Sequence, residues 1–458
     1  MGVSSALDSA RSGLSAASLA IETTSNNVAN AATEGYSRQS VDLANNDPVR
    51  ISGVQLGTGV VAESIDRASD LFLTSQIVEE AGSASSAETL RDVLVLAESW
   101  LADSEVEGLT SRLQGVFDSM QAATADPGDA TYRSSVANAA DSFATSFQRT
   151  ATALSDLIKD VEDKLDTMVE GTNSLLEQVA GLNQRIVASD GAADLLDQRD
   201  RLLAEIAEVI GTTARINTDG SATVMLGGHA LVSGVESRSL EVGEDDDGDL
   251  VVTMTAGNAG INVGDELGGS VGGNVRGVED IEDYLERLDD LAEELADAFN
   301  DVHAAGYDRD GNAGADFFEV TASDGHSAMG FTFNASLLDD PTLLAFAADS
   351  SANIGDGGNL EDLLAIETSD VFVDDSTTAE KALLSLLSDV GADVVAATTD
   401  ADHASAILAD LQGLRDAIAG VDLDEEAINL IKFQAAYQAA AKVIRATDTM
   451  LQNLMDIV

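Results

Sequence analysis

Apolar residues recur at seven-residue intervals near the start of the chain, at Leu7, Leu14, Ile21 and Val28, with Val3, Ala10, Ala17 and Ala31 on the intervening seam. The other end repeats the pattern through Leu423, Leu430, Tyr437, Ile444, Leu451 and Val458, with Phe433, Ala440, Thr447 and Leu454 beside them. A 3.5-residue period sustained this far predicts coiled-coil-like helices rather than ordinary amphipathic ones. Each stripe is narrow, about two positions in seven, so neither helix buries enough surface alone. Stripes of this kind also occur on internal helix pairs of ordinary bundles. Their placement at the two extremes favours a paired rod, with everything from about 60 to 420 inserted between its two strands.

Moving inward, residues 66–124 and 130–187 carry helical periodicity, through Leu90, Val93, Leu94, Ala97 and Leu101 and through Leu154, Leu157, Ile158, Val161, Leu165 and Met168. The Asp126-Pro127-Gly128 turn separates the two. A further helix is predicted from Asp194 to Ile210, with Gly211 as its stop. The period then changes. Thr213–Asn217 and Ala222–Leu226 flank Thr218-Asp219-Gly220-Ser221, a hairpin signal because Asp-Gly suits positive φ. Short strands are predicted at 238–242 and 249–255 around the acidic turn Glu244–Asp249, and a helix at 276–305. Glycine-rich loops and short strands fill 306–375, and helices resume from about 377 to the end with a break near Gly420.

The expected architecture is mainly α with an inserted small β domain. It is elongated, with coiled-coil-like terminal helices paired in a rod, a long-helix bundle in the middle and a projecting β domain. The expected divisions are a terminal helical domain (1–62 plus 421–458), a helical bundle (63–211 plus 274–306 plus 376–420) and a β-rich outer domain (212–273 plus 307–375). A length of 458 residues with 44% apolar content supports several cores. The three prolines, Pro48, Pro127 and Pro341, fall in predicted connections, so long helices are permitted.

Charge sharpens the division. The chain carries a formal net charge of −59. Residues 1–60 net −2 and residues 432–458 net +1, leaving −58 for the middle. Near-neutral ends suit surfaces that pack on copies of themselves, and a charged middle suits surface left in water. Nucleic acid and anionic membranes would both be repelled. No apolar run approaches the roughly 20 residues of a membrane helix. The first thirty residues hold Asp8, Arg11 and Glu22 and no continuous apolar core, so a cleavable secretory signal is not expected. Absence of cysteine excludes disulfides and thiolate metal sites. The few lysines beside many aspartates fit a saline environment.

No catalytic constellation emerges. The four histidines, His229, His303, His326 and His403, are scattered without a His-Glu-x-x-His pair, and neither a Gly-x-Ser-x-Gly elbow nor a phosphate loop occurs. Gly57-Thr-Gly59-Val-Val-Ala62 superficially resembles a dinucleotide fingerprint but has no correctly placed helix or downstream acidic partner and reads as a loop. Asp308, Asp310, Asn312, Asp316 and Glu319 occupy calcium-loop spacing. Ala313 stands where the sharp turn wants glycine, so a polar turn anchored by Phe317 and Phe318 is the preferred reading. The Glu244–Asp249 run has no ligand spacing and reads as a solvated turn. No metal, cofactor or catalytic residue is assigned.

Several stretches resemble the flagellar axial-protein family of rod, hook and junction proteins. Ser25-Asn-Asn-Val-Ala-Asn30-Ala-Ala-Thr33-Glu-Gly35-Tyr36-Ser-Arg38-Gln39 is similar to the shared N-terminal signature, its Tyr-Ser-Arg-Gln ending to that of the junction proteins. Leu195-Leu-Asp-Gln198-Arg199-Asp200 resembles an element before the family's β domain. Gly268-Gly269-Ser270-Val-Gly-Gly273, His303-Ala-Ala-Gly306-Tyr-Asp308 and Asp316-Phe-Phe318 resemble its return segment, and Gly420 through Tyr437-Gln438 its C-terminal element. The stretch from Phe318 to about Ser350 is short beside longer members, which implies that a further outer domain is missing.

The resemblance implies a non-enzymatic flagellar component, exported uncleaved by the type III channel to the hook–filament junction. Its implied partners are a ring of identical subunits, hook protein, the next junction protein, and an export chaperone on the C-terminal helix. The residues implied in assembly are Leu7, Leu14, Ile21, Val28, Leu423, Leu430, Tyr437, Ile444 and Leu451. A secreted adhesin or effector using flagellar-type helices for export is the rival reading.

Overall fold

The computed structural model describes residues 2–33, 35–51, 54–102, 108–189, 191–244, 250–256, 259–351, 354–372 and 376–455. The chain starts in helix α1 (Gly2–Asn30), then forms strands β1 (Gln39–Asn45), β2 (Val49–Ile51), β3 (Val54–Leu56) and β4 (Val60–Arg67). Four helices follow, α2 (Leu71–Leu101), α3 (Leu109–Ala123), α4 (Ala130–Ala188) and α5 (Ala193–Ile210). Seven short strands come next: β5 (Thr213–Ile216), β6 (Ala222–Leu226), β7 (His229–Ser233), β8 (Glu236–Ser237), β9 (Leu240–Glu244), β10 (Leu250–Ala256) and β11 (Ala259–Asn262). Helix α6 (Gly269–Ala305) leads to β12 (Phe318–Val320), β13 (Phe331–Phe333), α7 (Ala335–Asp339) and α8 (Gly358–Ala365). Helices α9 (Ala379–Ala419) and α10 (Leu423–Met455) close the chain. The fold is mostly helical with small antiparallel sheets.

The periodic stretch 66–124 is two helices rather than one. Asp70 caps α2 by accepting from Phe72 N and Leu73 N, which sets its start after β4. Leu109 begins α3, and residues 103–107 between them lie outside the described region. Asp129 caps α4 in the same way, and with only Arg185 basic in its last turn the helix runs 59 residues, about 88 Å at 1.5 Å per residue. Buried positions along its whole length, from Val136 through Phe147, Leu165 and Leu176 to Ile186, make it the axis on which α2, α3, α5 and α6 pack. Helix α9 lies along α2, antiparallel, with the Ser405 hydroxyl donating to Glu88.

Residues 269–273, expected within the β-rich domain ahead of a helix beginning near 276, instead form the start of α6. Its glycines answer a packing demand rather than a bend. A Cβ on Gly273 would lie 2.4 Å from the Ser86 carbonyl oxygen, and one on Gly277 would lie 2.6 Å from Val93 Cγ1, because α6 crosses α2 almost backbone to backbone.

Two meanders, β5-β6-β7-β8 and β9-β10-β11, form the sheets after α5. The Asp219-Gly220 turn forms as predicted, with Gly220 at φ 81°. The acidic turn after Glu244 lies outside the described residues. Both meanders are held to the C-terminal half of α4 by buried amides. Asn183 donates to Ala222 O and Gly234 O and accepts from Ala222 N, and Asn173 donates to and accepts from the Leu240 backbone.

The 307–375 segment was expected to join these sheets in one outer domain, and it does not. It packs against the opposite half of α4 and the end of α6. Phe318 and Phe331 lie 4.7 Å apart between ring centroids and meet Phe143 and Phe147 of α4, while Phe317 stacks on Phe299 of α6 at 5.3 Å. Arg133, near the start of α4, is buried and donates to Pro127 O and Leu344 O. The phenylalanines of 317–333 carry this placement, because the aromatic surface they bury has its complement only where α4, α3 and α6 present rings.

One helical stretch, within Ala379–Asn453, is long and apolar enough to cross a membrane by length and composition, which corrects the sequence expectation. In the fold this stretch includes α9, whose buried side, Leu383, Leu386, Val390, Ala397 and Ala401, faces the bundle.

Candidate functional site

Helices α1 and α10 pack on each other and run antiparallel. Gly13 lies against Ala440, 4.0 Å from an added Cβ, while Arg38 beyond the end of α1 pairs with Glu425 at the start of α10 at 2.9 Å. Gly13 and Ala440 meet in the seam, and the buried residues of the pair are small or polar: Ala10, Ala16, Ala17, Ala20, Thr23, Thr24 and Asn27 on α1, shared between α10 and the β1–β4 ribbon, and Glu426 and Thr447 on α10.

The large apolar heptad positions flank this seam instead of filling it. Leu7, Leu14, Ile21, Leu430 and Ile444 are half-buried, and Val28, Leu423, Tyr437 and Leu451 are exposed. Val458 lies outside the described residues. Ile428, Ile431, Met450 and Met455 are exposed as well, Ile431 at 67%. Alanine and glycine let two backbones approach closely, so the pair closes with its bulkier apolar side chains turned outward.

The other side of α1 carries the β1–β4 ribbon. Asn27 grips Gln39, accepting from its N–H and donating to its C=O, and the Ser12 hydroxyl accepts from Val60 N. The 15 residues from Ser12 to Asn27 span about 22 Å of helix, close to the roughly 20 Å spanned by the six strand steps from Gln39 to Asn45, the partner of Val60.

Where the terminal pair meets the bundle, the N-terminal signature and the Leu-Leu-Asp-Gln-Arg-Asp element meet each other. Ser37 N donates to Asp197, and Gln39 Nε2 donates to Asp194 at 2.8 Å. Gly35, at φ 73°, sits on the stem of Arg201, where a Cβ would come within 2.6 Å. Arg67 pairs with both Asp197 at 2.9 Å and Asp200 at 2.7 Å, its side chain 7% exposed. Arg199, fully buried, pairs with Asp200 and donates to the Gly220 carbonyl in the hairpin turn.

The electrostatics follow from this crowding. Burial, and then the charges of Asp194, Asp197 and Glu426, push the Tyr36 hydroxyl up to about 12, so it stays protonated and donates to Asn27. Burial works against the charge on Arg67, but Asp200 and Asp197 outweigh it and hold the guanidinium above its ordinary value. The sequence alone offered the acidic motif but nothing that marked Arg67 as its counterpart.

The calcium-like loop closes on itself. Asp308 accepts from Asp310 N, Asn312 N and Asn312 Nδ2, and Phe317 and Phe318 sink into the aromatic core. Among the described residues no group of three or more histidine or acidic side chains is placed to hold a metal ion. His303 is buried, with Nδ1 facing Ala315 O and Nε2 accepting from Ala345 N, so it serves as a backbone clamp.

Family comparisons match along the chain. Residues 96–318 match the helical domain of the flagellar hook-associated protein FlgK, residues 7–36 the flagella basal body rod protein, and residues 417–457 the C-terminal region of the basal body rod FlgEFG proteins. The chain is similar to the flagellar axial proteins and, among them, to the hook-associated protein 1 group. It is 28% identical to flagellar hook-associated protein 1 of Bacillus subtilis, covering 98% of this chain and 97% of that one. The Escherichia coli protein of the same name is 26% identical over 99% of this chain and all of its own. The solved flagellar hook junction protein FlgK from Burkholderia pseudomallei superposes with a TM-score of 0.66 at 15% identity, covering 75% of this chain and 100% of that one, a likeness of fold. The axial-protein matches at 7–36 and 417–457 coincide with α1 and α10.

Proposed function

We propose that this chain is a structural component of the bacterial flagellum, not an enzyme, that forms the junction between hook and filament and is needed for filament assembly. The observation that carries the reading is the terminal pair, whose closed seam of small residues leaves apolar side chains on both helices facing outward. Exposed apolar stripes on paired helices are surfaces for neighbours. In a ring of identical subunits the pairs would pack side by side as a coiled-coil-like inner layer through Leu7, Leu14, Ile21, Val28, Leu423, Leu430, Tyr437, Ile444 and Leu451. The bundle would form an outer layer and the β5–β11 sheets the exterior.

One face of that ring would match hook protein and the other the next junction protein. Narrow stripes leave the helices marginal until they are packed, which suits passage through a type III export channel. An export chaperone would shield the apolar face of α10 before assembly.

A secreted adhesin or effector that borrows flagellar helices for export is the weaker reading. Its likeness to axial proteins would be confined to the ends, whereas the relatives match along nearly the whole chain. Alanine at both Leu430 and Ile444 tests the proposal. The variant should be made at normal levels yet fail to restore filaments to a strain lacking the protein, and normal filaments would refute the assigned surface.

A further inference from the structure

The terminal pair is joined to the bundle by two short non-helical links, 68–70 and 420–422. A backbone ladder stitches them, since Arg38 N donates to Ala419 O and Ala68 N to Arg38 O. That ladder fixes where the links meet but leaves rotation about them free. What opposes rotation is the seat on α5. There Ser37 and Gln39 bring only neutral groups to carboxylates, and Arg67 brings the charge. Asp197 and Asp200, one turn apart on α5, both face Arg67. Arg199 also serves Asp200. Asp197 pairs with Arg67 at 2.9 Å.

We propose that Arg67 is the positioning residue that sets the angle between the terminal pair and the bundle. Its Nη1 meets both carboxylates at once, and two charge-assisted contacts to separate residues of α5 confine the orientation of β4 more narrowly than a single hydrogen bond would. Beside it a cavity of about 30 Å³, room for one water, is bounded by Arg67, Asp197, Asp200 and Arg415, so the seat is close-fitting without being rigidly filled. Through Arg199 and Gly220 O the same cluster reaches the β5–β6 turn, so the orientation of the pair and that of the outer sheet are referred to one point. The consequence for ring assembly rests on the junction reading above. The angle itself is a property of the single chain.

The chain has no cysteine, so cysteines introduced by Ser64→Cys on β4 and Glu177→Cys on α4 take nitroxide labels uniquely. Pulsed electron–electron distance measurement on the isolated full chain should give one narrow distribution. Arg67→Met should broaden it at least twofold while the bundle still melts cooperatively, at a lower temperature because Asp197 loses its cation, and Arg67→Lys, which keeps the charge, should fall between. If Arg67→Met abolishes the bundle's melting transition, Asp200→Asn replaces it, since one acceptor remains, and an intermediate width is expected. A broad wild-type distribution, or a variant as narrow as wild type, would overturn the assignment. Both results are independent of whether filaments form, so failure here leaves the junction reading standing.

Discussion

Gly→Ala substitutions should change stability with opposite signs at positions that look alike in sequence. Within a helix interior, alanine is favoured over glycine by about 1 kcal/mol through lower unfolded-state entropy. Gly171 and Gly181 in α4 have no atom within 4 Å of an added Cβ, so that gain should appear in full. Gly273 in α6 would place its Cβ 2.4 Å from the Ser86 carbonyl oxygen, 2.9 Å from Thr89 Cβ and 3.2 Å from Leu90 N. Two of those three atoms belong to the backbone of α2 and cannot rotate away, so the helices must separate by most of an ångström. Overpacking of this kind costs about 1–3 kcal/mol, and the contacts around Val93 and Val278 loosen with it. The net expectation is a loss of about 1–2 kcal/mol at Gly273 and a gain of about 0.5–1 kcal/mol at Gly171. In a bundle that melts as a unit of 150–250 residues this separates the two variants by roughly 4–10 °C. Calorimetry on the three proteins at one pH and salt decides it. If Gly273→Ala raised the melting temperature as Gly171→Ala does, the backbone-to-backbone crossing of α2 and α6 would be wrong.

Further expectations can be checked on the same material. Asn183→Ala removes three hydrogen bonds to Ala222 and Gly234 and leaves buried backbone groups unmet, so the β5–β8 sheet should lose about 2–4 kcal/mol and its amides should exchange faster while those of α2 and α9 do not. Asp280, on α6 facing Asp393 of α9 with Glu279, Asp283, Arg276 and Tyr284 nearby, is raised to about 6 by burial and then by the neighbouring carboxylates. A folded pKa above the ordinary 3.8 means that the folded form binds the proton more tightly, so stability is greatest below about pH 4 and falls as pH rises to about 6. Half-exposure trims the effect to about 1–2 kcal/mol, and Asp280→Asn should flatten that part of the pH profile and be more stable at pH 7. With a net charge of −59, the melting temperature should rise between 0.1 and 2 M KCl, and a flat or falling curve would show that self-repulsion is unimportant.

The helices were legible because their apolar period is long and uninterrupted by proline, and the hairpin at Asp219-Gly220 because positive φ leaves a local signature. The division of 66–124 into α2 and α3 was not, because the apolar period carries no mark of where α2 ends after Leu101 and α3 begins at Leu109.

 Tertiary packing, not local pattern, decides such places. The terminal helices were legible from their apolar stripes. Which of their two seams would close was not legible, because close approach of α1 and α10 depends on Gly13 meeting Ala440, a pairing of residues far apart in the chain. The same holds for the seat, where Arg67 and Asp197 are 130 residues apart. The expected outer domain joined 212–273 to 307–375 because both segments are rich in glycine and short strands. Their separation along α4 follows from rings at Phe143, Phe147 and Phe299, and no local pattern states which end of a long helix a distant aromatic segment will choose.

Electron microscopy of a strain lacking this chain tests the central claim most directly. Hooks without filaments, with filament monomer lost to the medium and filaments restored by the intact gene, are the result the junction role predicts. Normal filaments in the absence of the chain would contradict it.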